Sequence, residues 1–238
     1  PAVNKAVASM EPVLAKTPIV KNLFTKVDDC IAVQPTRGYH ALFLATNTTK
    51  FTCIDTGITN LLKSDLKKWR EEVGTDLDTI AVARTDIEGL EGEVFQGASP
   101  EVIKAARKEA GLKPLSENRK IKAPYDENNP RHKQFTRHAE EMIANKFADA
   151  VDNLYENPLE VKGKLYLHQS NKTGVCGACK AGFGKNPKRF GVLYQLSKRY
   201  PNLEIVVSSE ITDSTKITKK HFFIVKNGQQ YEYPQNRR

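Results

Sequence analysis

TRHAEEMIANKFADAVDNLYENPLEVKGKLYLHQSNKTGVCGACK, residues 136–180, decides the fold. Thr136 is placed to cap a helix running to about Tyr155. Lys164–Gln169 (KLYLHQ) is a short β-type run, and a glycine-containing loop leads from it to Cys176. A helix is expected to open at Cys176, to be interrupted around Gly182–Pro187, and to resume from about Arg189 to Arg199. Leu203–Ser208 (LEIVVS) reads as a buried strand and His221–Lys226 (HFFIVK) as another. The polar segment between those two is too short for a crossover helix, so the pair is expected to be antiparallel.

Working upstream, Thr79–Arg84 (TIAVAR) and Glu93–Gly97 read as strands joined through the turn EGLEG at 88–92. Ser99 and Pro100 have the form of an N-cap and first helical residue, predicting a helix to about Glu109. Residues 113–132 are polar, contain three prolines and read as a long loop, a class of segment that is often functional. Further upstream, Leu61–Val73 has Leu62, Leu66 and Trp69 on one helical face. Asp29–Val33, His40–Ala45 and Phe51–Asp55 are β-like, with TNTTK at 46–50 as a hairpin turn, and the first residues are weakly helical. Two parts are expected: an N-terminal α+β extension or accessory subdomain over 1–74, and a domain over 75–238 that carries the chemistry.

The 238 residues are 39% hydrophobic and 27% charged, which suits a packed core rather than disorder. No apolar run approaches the roughly 20 residues of a membrane span. No signal peptide is legible, and the chain opens PAVNKAVASM without an initiator Met, as a fragment or processed product would. Four cysteines are fewer than a disulfide framework of this length would carry. The net charge of +9 suits a polyanionic partner.

The chemistry-bearing pattern is His138-Ala139-Glu140 at the start of one helix and Cys176-Gly177-Ala178-Cys179 after the next strand. One imidazole and two thiolates make three zinc ligands, leaving the fourth tetrahedral position to water, as in catalytic sites. Zinc lowers the pKa of bound water to about 7. Glu140, two residues from His138, would take a proton from that water and hand it on to a substrate. A CxxC pair alone also suits a redox centre, although that leaves His138 and Glu140 unaccounted for. A fourth ligand from His132, His168, Cys30 or Cys53 would instead close the site into a structural one. Cys30 and Cys53 are also candidates to pair across adjacent strands.

H-x-E followed by P-C-x-x-C is the zinc-deaminase signature. The stretch 79–226, with TIAVARTDIEGLEG, RHAEEMIANKF, KLYLHQ, GVCGACK and YPNLEIVVSS, resembles the cytidine-deaminase-like superfamily. Within it, the likeness is to deaminase domains of bacterial polymorphic toxins. It departs from the common pattern at Val175, which stands where Pro precedes the first cysteine. The resemblance implies an α/β fold with a five-stranded mixed sheet flanked by helices and zinc between the two motif helices. It also implies a hydrolase acting on a C–N bond and converting cytosine to uracil. A secreted effector acting in the cytoplasm of a target cell, bound by a cognate immunity protein in its producer, follows from the same likeness; without the toxin context the chain would be cytoplasmic.

Charge placement speaks to substrate. From Val161 to Leu203 there is no Asp or Glu, while nine Lys and Arg fall there, among them Lys172, Lys180, Lys185, Lys188 and Arg189. Both cysteine ligands lie within the stretch. Phosphate contacts are the natural use of such a run, which favours nucleic acid, DNA before RNA, over a free nucleoside. A solvated basic face is the plainer alternative. Phe183, Phe190 and Tyr194 are either core or base-stacking platforms, and Ser99 is either a helix cap or a substrate contact. RNA or adenine deamination, or a nucleoside or free-base substrate, would use the same zinc core.

Overall fold

The computed structural model describes residues 29–35, 50–74, 79–99, 118–124, 138–184, 187–212, 218 and 220–232. In chain order the strands are β1 (Asp29–Pro35), β2 (Lys50–Ile54), β3 (Ile80–Thr85), β4 (Phe95–Ala98), β5 (Gly163–Gln169), β6 (Leu203–Ser209), β7 (Phe222–Lys226) and β8 (Gln229–Glu232). The helices are α1 (Thr56–Val73), α2 (Ala139–Leu154) and α3 (Val192–Arg199).

The sheet runs β2-β1-β8-β7-β6-β5-β3-β4. Its body is the mixed six-stranded part from β8 to β4, in which β5 and β6 pair in parallel and the other neighbours are antiparallel. β1 joins β8 only through Gln34↔Glu232 and Pro35↔Tyr231, and carries β2 with it. The parallel β5–β6 pair needs a crossover, and α3 supplies it. The pair β6–β7 is antiparallel, as its short polar connection requires.

Period-2 alternation sorts the strands between two cores. Ala81, Ala83, Leu165, Leu167, Ile205, Val207, Phe223 and Val225 face α2 and α3, where they meet Ile143, Phe147, Val151, Leu193 and Leu196. Their neighbours Ile80, Val82, Tyr166, Val206 and Ile224 face the other way, onto Leu62, Leu66, Trp69 and Val73 of α1. The result is a three-layer α/β/α arrangement. Each fully buried Leu, Ile, Val or Phe contributes on the order of 1.5–3 kcal/mol, so both layers are held by ordinary apolar burial.

Several sequence expectations need correction. The sheet is not five-stranded. The β6–β7 pair is followed by a further strand, β8, returned by the tight turn at Asn227 and Gly228, both at positive φ. Two more strands then lie beyond it. No helix begins at Cys176: residues 176–182 form turns, and the helix starts only at Val192. α1 begins five residues earlier than its apolar face suggests, because Asp55 caps it by accepting from the Ile58 amide at 3.1 Å. It packs on the same sheet as the segments beyond residue 75. The expected strand His40–Ala45, the first four residues of the turn expected at 46–50, the helix opening at Pro100 and the cap at Thr136 lie outside the described residues; Lys50, the last residue of that turn, already belongs to β2. Among the described residues no helix is long and apolar enough to cross a membrane.

Candidate metal centre

α2 starts one residue after His138, whose backbone is extended (φ −60°, ψ 159°) and occupies the N-cap position. A Ser, Thr, Asp or Asn there would cap the helix, worth about 1 kcal/mol over residues that cannot. His138 makes no side-chain cap bond, because its ring is turned toward the cysteine loop. The extended cap followed by the first helical turn lets His138 and Glu140 approach one point from different directions.

The cysteines sit in a tight turn in which the Lys180 amide donates to the Cys176 carbonyl at 3.1 Å and the Cys179 amide to Cys176 Sγ at 3.4 Å. The Val175 amide donates to the Lys220 carbonyl at 3.1 Å, a bond that proline could not make. The turn is seated on the start of α3: a Cβ at Gly191 would lie 2.5–2.7 Å from backbone atoms of Ala178, Cys179 and Ala181. On the other side, a Cβ at Gly97 of β4 would lie 2.1 Å from the Ala139 carbonyl oxygen. Two glycines therefore let backbone approach backbone on either side of the centre.

His138 Nδ1 lies 3.1 Å from Cys176 Sγ and 3.2 Å from Cys179 Sγ. A single ring nitrogen can carry only one proton, so it cannot satisfy two sulfurs as a donor. Three electron-pair donors converging on one space fit a cation. With zinc–sulfur and zinc–nitrogen bonds of about 2.3 and 2.05 Å, a tetrahedral nitrogen and sulfur would stand about 3.6 Å apart, within about half an ångström of the two nitrogen–sulfur distances found. Among the described residues these three form the one group able to hold a metal ion. His168 is elsewhere, buried on β5 and 2.9 Å from Ser208 Oγ on β6. Cys30 and Cys53 are direct cross-strand partners in the β1–β2 register. His132 lies outside the described residues.

The electrostatics follow from the crowding. The Cys179 thiol's hydrogen bond pulls Cys176 down to about 4, with His138 assisting and burial opposing. The same bond, with complete burial, pushes Cys179 well above the usual thiol range. Burial is the largest single influence on His138 and works against its imidazolium, but the hydrogen bond to Cys176 together with the charges of Cys176, Glu140 and Glu141 outweighs it and raises the group. Glu140 is 3% exposed and in hydrogen-bond contact with the Cys179 sulfur. Burial, then the Cys176 charge, raises its carboxyl above the ordinary range.

A cavity of about 340 Å³, lined by Pro124, His138, Cys176, Gly177, Ala178, Ala181 and Arg189, opens onto the centre. That volume suits a small-molecule group or one residue of a polymer. Pro124 and the alanines carry no motif signal and were not legible in advance. Pro124 is brought there by the segment 118–124, which is tied to α2: Arg119 pairs with the buried Glu141, the Ala123 amide donates to Glu141 at 3.1 Å, and Asn145 bonds both polar groups of the Ile121 backbone.

The other candidate residues scatter. Arg189 borders the cavity, and Lys188 lies in an adjoining groove. Lys180 lies over the Phe223 ring, 4.3 Å from its centroid. Lys172 is exposed in the loop before the cysteines, its carbonyl held at 2.7 Å by His221. Ser99 closes the end of the β3–β4 pair, its hydroxyl accepting from the Thr79 amide at 3.1 Å; neither Ser99 nor Lys172 lines the cavity. Lys185 lies outside the described residues. No protein-family model, curated protein or solved structure matches the chain.

Proposed function

We propose that the chain is a zinc-dependent hydrolytic deaminase that converts cytosine to uracil in nucleic acid, DNA before RNA, of the kind carried by bacterial polymorphic toxins. The observation that carries the proposal is the position of Glu140: a buried carboxylate against a His–Cys–Cys group, two of whose members, His138 and Cys176, line a cavity of nucleobase scale. A redox CxxC leaves unexplained the His138 nitrogen set between both sulfurs, and a structural zinc site has no use for the cavity.

His138, Cys176 and Cys179 would hold the ion, which when bound supplies water acidified to near neutrality. Glu140, raised by burial, is suited to receive a proton at neutral pH and hand it on. Water adds at C4 of the pyrimidine, forming a C–O bond, and Glu140 carries its proton to N3. The remaining proton of the added hydroxyl passes by way of Glu140 to the exocyclic amine, the C4–N4 bond breaks as the C4 carbonyl forms, and uracil and ammonia leave. Arg189 at the rim is placed to meet an anionic group outside the cavity. An immunity protein and delivery into a competitor cell belong to the same proposal and rest on the resemblance.

The test is to incubate the zinc-loaded protein with single-stranded DNA, duplex DNA, RNA and cytidine and to sequence or chromatograph the products. Uracil formed in a polymer, and absent with Glu140→Ala, is the expected result. Deamination surviving in that variant, or no product from any substrate, would overturn the proposal. Cys176→Ala should lose stoichiometric zinc.

A further inference from the structure

Beside the metal cavity, and sharing Pro124 and Arg189 with it, lies a wider groove of about 730 Å³. Its walls come from three places in the chain: the 118–124 segment, the 187–190 loop and one face of α3. Lys120, Lys122, Lys188, Arg189, Lys198 and Arg199 line it, and among the described residues no acidic side chain does. Asp152 accepts from Lys120 at 2.8 Å and from Arg199 at 2.6 Å, and Asp149 also pairs with Lys120. Setting Arg189 aside, those two acids against the other five cations leave an excess of three positive charges among the described residues. The groove is fixed rather than loose: Gln195 accepts from the Lys122 amide at 3.2 Å and donates to the carbonyls of Lys122 at 2.6 Å and Phe190 at 2.7 Å.

One large apolar side chain interrupts the charge. Phe190 is 45% exposed and stacks on Tyr194, with centroids 4.8 Å apart and an interplanar angle of 29°. A basic wall alone suits any polyanion; a basic wall with a fixed, solvent-facing aromatic platform suits a polyanion that carries flat rings. Duplex DNA keeps its rings stacked inside, so an exposed platform selects a single strand.

We propose that this groove is a single-stranded nucleic-acid track. The backbone follows Lys122, Lys188 and Lys198, one base stacks on Phe190, and a neighbouring base passes Arg189 into the metal cavity. The proposal rests on the deaminase chemistry above for what the strand is brought there to do, but its binding is measurable without turnover.

The experiment is fluorescence anisotropy with a labelled single-stranded oligonucleotide of about a dozen nucleotides, within the range such grooves hold. It uses the zinc-loaded full chain carrying Glu140→Ala. Binding should weaken steeply with salt. The Lys122→Gln/Lys188→Gln pair should weaken it and flatten the log–log salt slope by about 1.4, or 0.7 for each lost phosphate contact. Phe190→Ala should weaken binding about fivefold or more, and Phe190→Trp should retain it. Zinc content and thermal midpoint confirm that each variant is folded. Binding untouched by these substitutions would overturn the proposal. So would loss with the lysine variants but not with Phe190→Ala, which marks a general polyanion surface, or tighter binding to duplex. The two proposals fail separately. Oligonucleotide binding through these residues without deamination by the Glu140 protein sinks the chemistry and leaves the track. Deamination of oligonucleotides unaffected by the same variants does the reverse.

Discussion

At position 140 a carboxylate is held almost wholly out of water, beside two sulfurs and an imidazole. Such burial is costly unless the group is hydrogen-bonded or paired. Glu140→Gln keeps the shape and removes the titrating oxygen. Turnover on the substrate identified above should fall about 10²–10⁴-fold, the usual share of a proton shuttle, with zinc content unchanged by metal analysis. A smaller effect would make Glu140 a packing residue. His168, beside Ser208 on β6 and not a member of the metal-binding group, gives a second test. Burial, then the neighbouring Lys63 charge, lowers it to about 4, so it is neutral in the fold. In the unfolded chain it titrates near 6.5. Between those values the unfolded state binds the extra proton, so stability is full above about 6.5 and is lost as pH falls toward 4, by up to about 1.4 kcal/mol per pH unit. Urea midpoints of the protein and of His168→Gln, measured across that window, should converge or cross as pH drops. A constant gap would show that His168 does not titrate there. The sequence made the residues of the metal group legible because H-x-E and CxxC are local. It could not show Arg119 holding Glu141, since that ion pair joins positions 22 apart in a segment with no periodicity.

Elements owe their positions to close contacts that leave little trace in composition. β4 meets α2 where Gly97 touches the Ala139 backbone, and three further bonds fix it there. Trp69 donates to the Gly97 carbonyl at 2.9 Å, Lys146 to the Gln96 carbonyl at 2.8 Å, and the Ala98 amide to Met142 Sδ at 3.4 Å. Gly97→Ala would drive a methyl into the Ala139 carbonyl, one residue from His138. The start of α2 must then move, so zinc affinity should fall at least tenfold in a competition titration, with a thermal midpoint several degrees lower. Unchanged affinity would show that the metal centre does not depend on β4. Such dependence explains which elements could be read in advance. β5, β6 and β7 are apolar runs bounded by turn residues, and α2 has a long apolar face, so their existence follows from pattern. β8 reads QQYE, too polar to declare itself; its only signal is the Asn227-Gly228 turn, a strong hairpin dipeptide. The helix expected at Cys176 fails for a different reason. Cys176-Gly177-Ala178-Cys179 must wrap its sulfurs around one point, and Gly182 at φ 108° and Pro187 prevent a helix from continuing.

Across the whole molecule, metal binding and folding are separable in a way the topology makes explicit. Two apolar cores lie on opposite faces of the sheet, and only the α2–α3 side touches the metal group. The ion would link the first residue before α2, already seated against β4 through Gly97, to the turn before α3, already seated on that helix through Gly191. A small zinc finger lacks such cores and unfolds without its metal. Here removal should loosen one end of one layer. Chelation with an excess of a high-affinity zinc chelator is therefore expected to leave the far-UV circular dichroism spectrum nearly intact. The thermal midpoint should fall by about 10 °C, the shift expected when a ligand held at about a thousandfold over its dissociation constant is withdrawn from a domain of this size. Zinc should restore the midpoint, and cobalt should give the visible bands of thiolate coordination. Complete loss of the helical signal on chelation would mean that the metal organises the fold rather than the reaction. No shift would mean that His138, Cys176 and Cys179 do not hold an ion in solution.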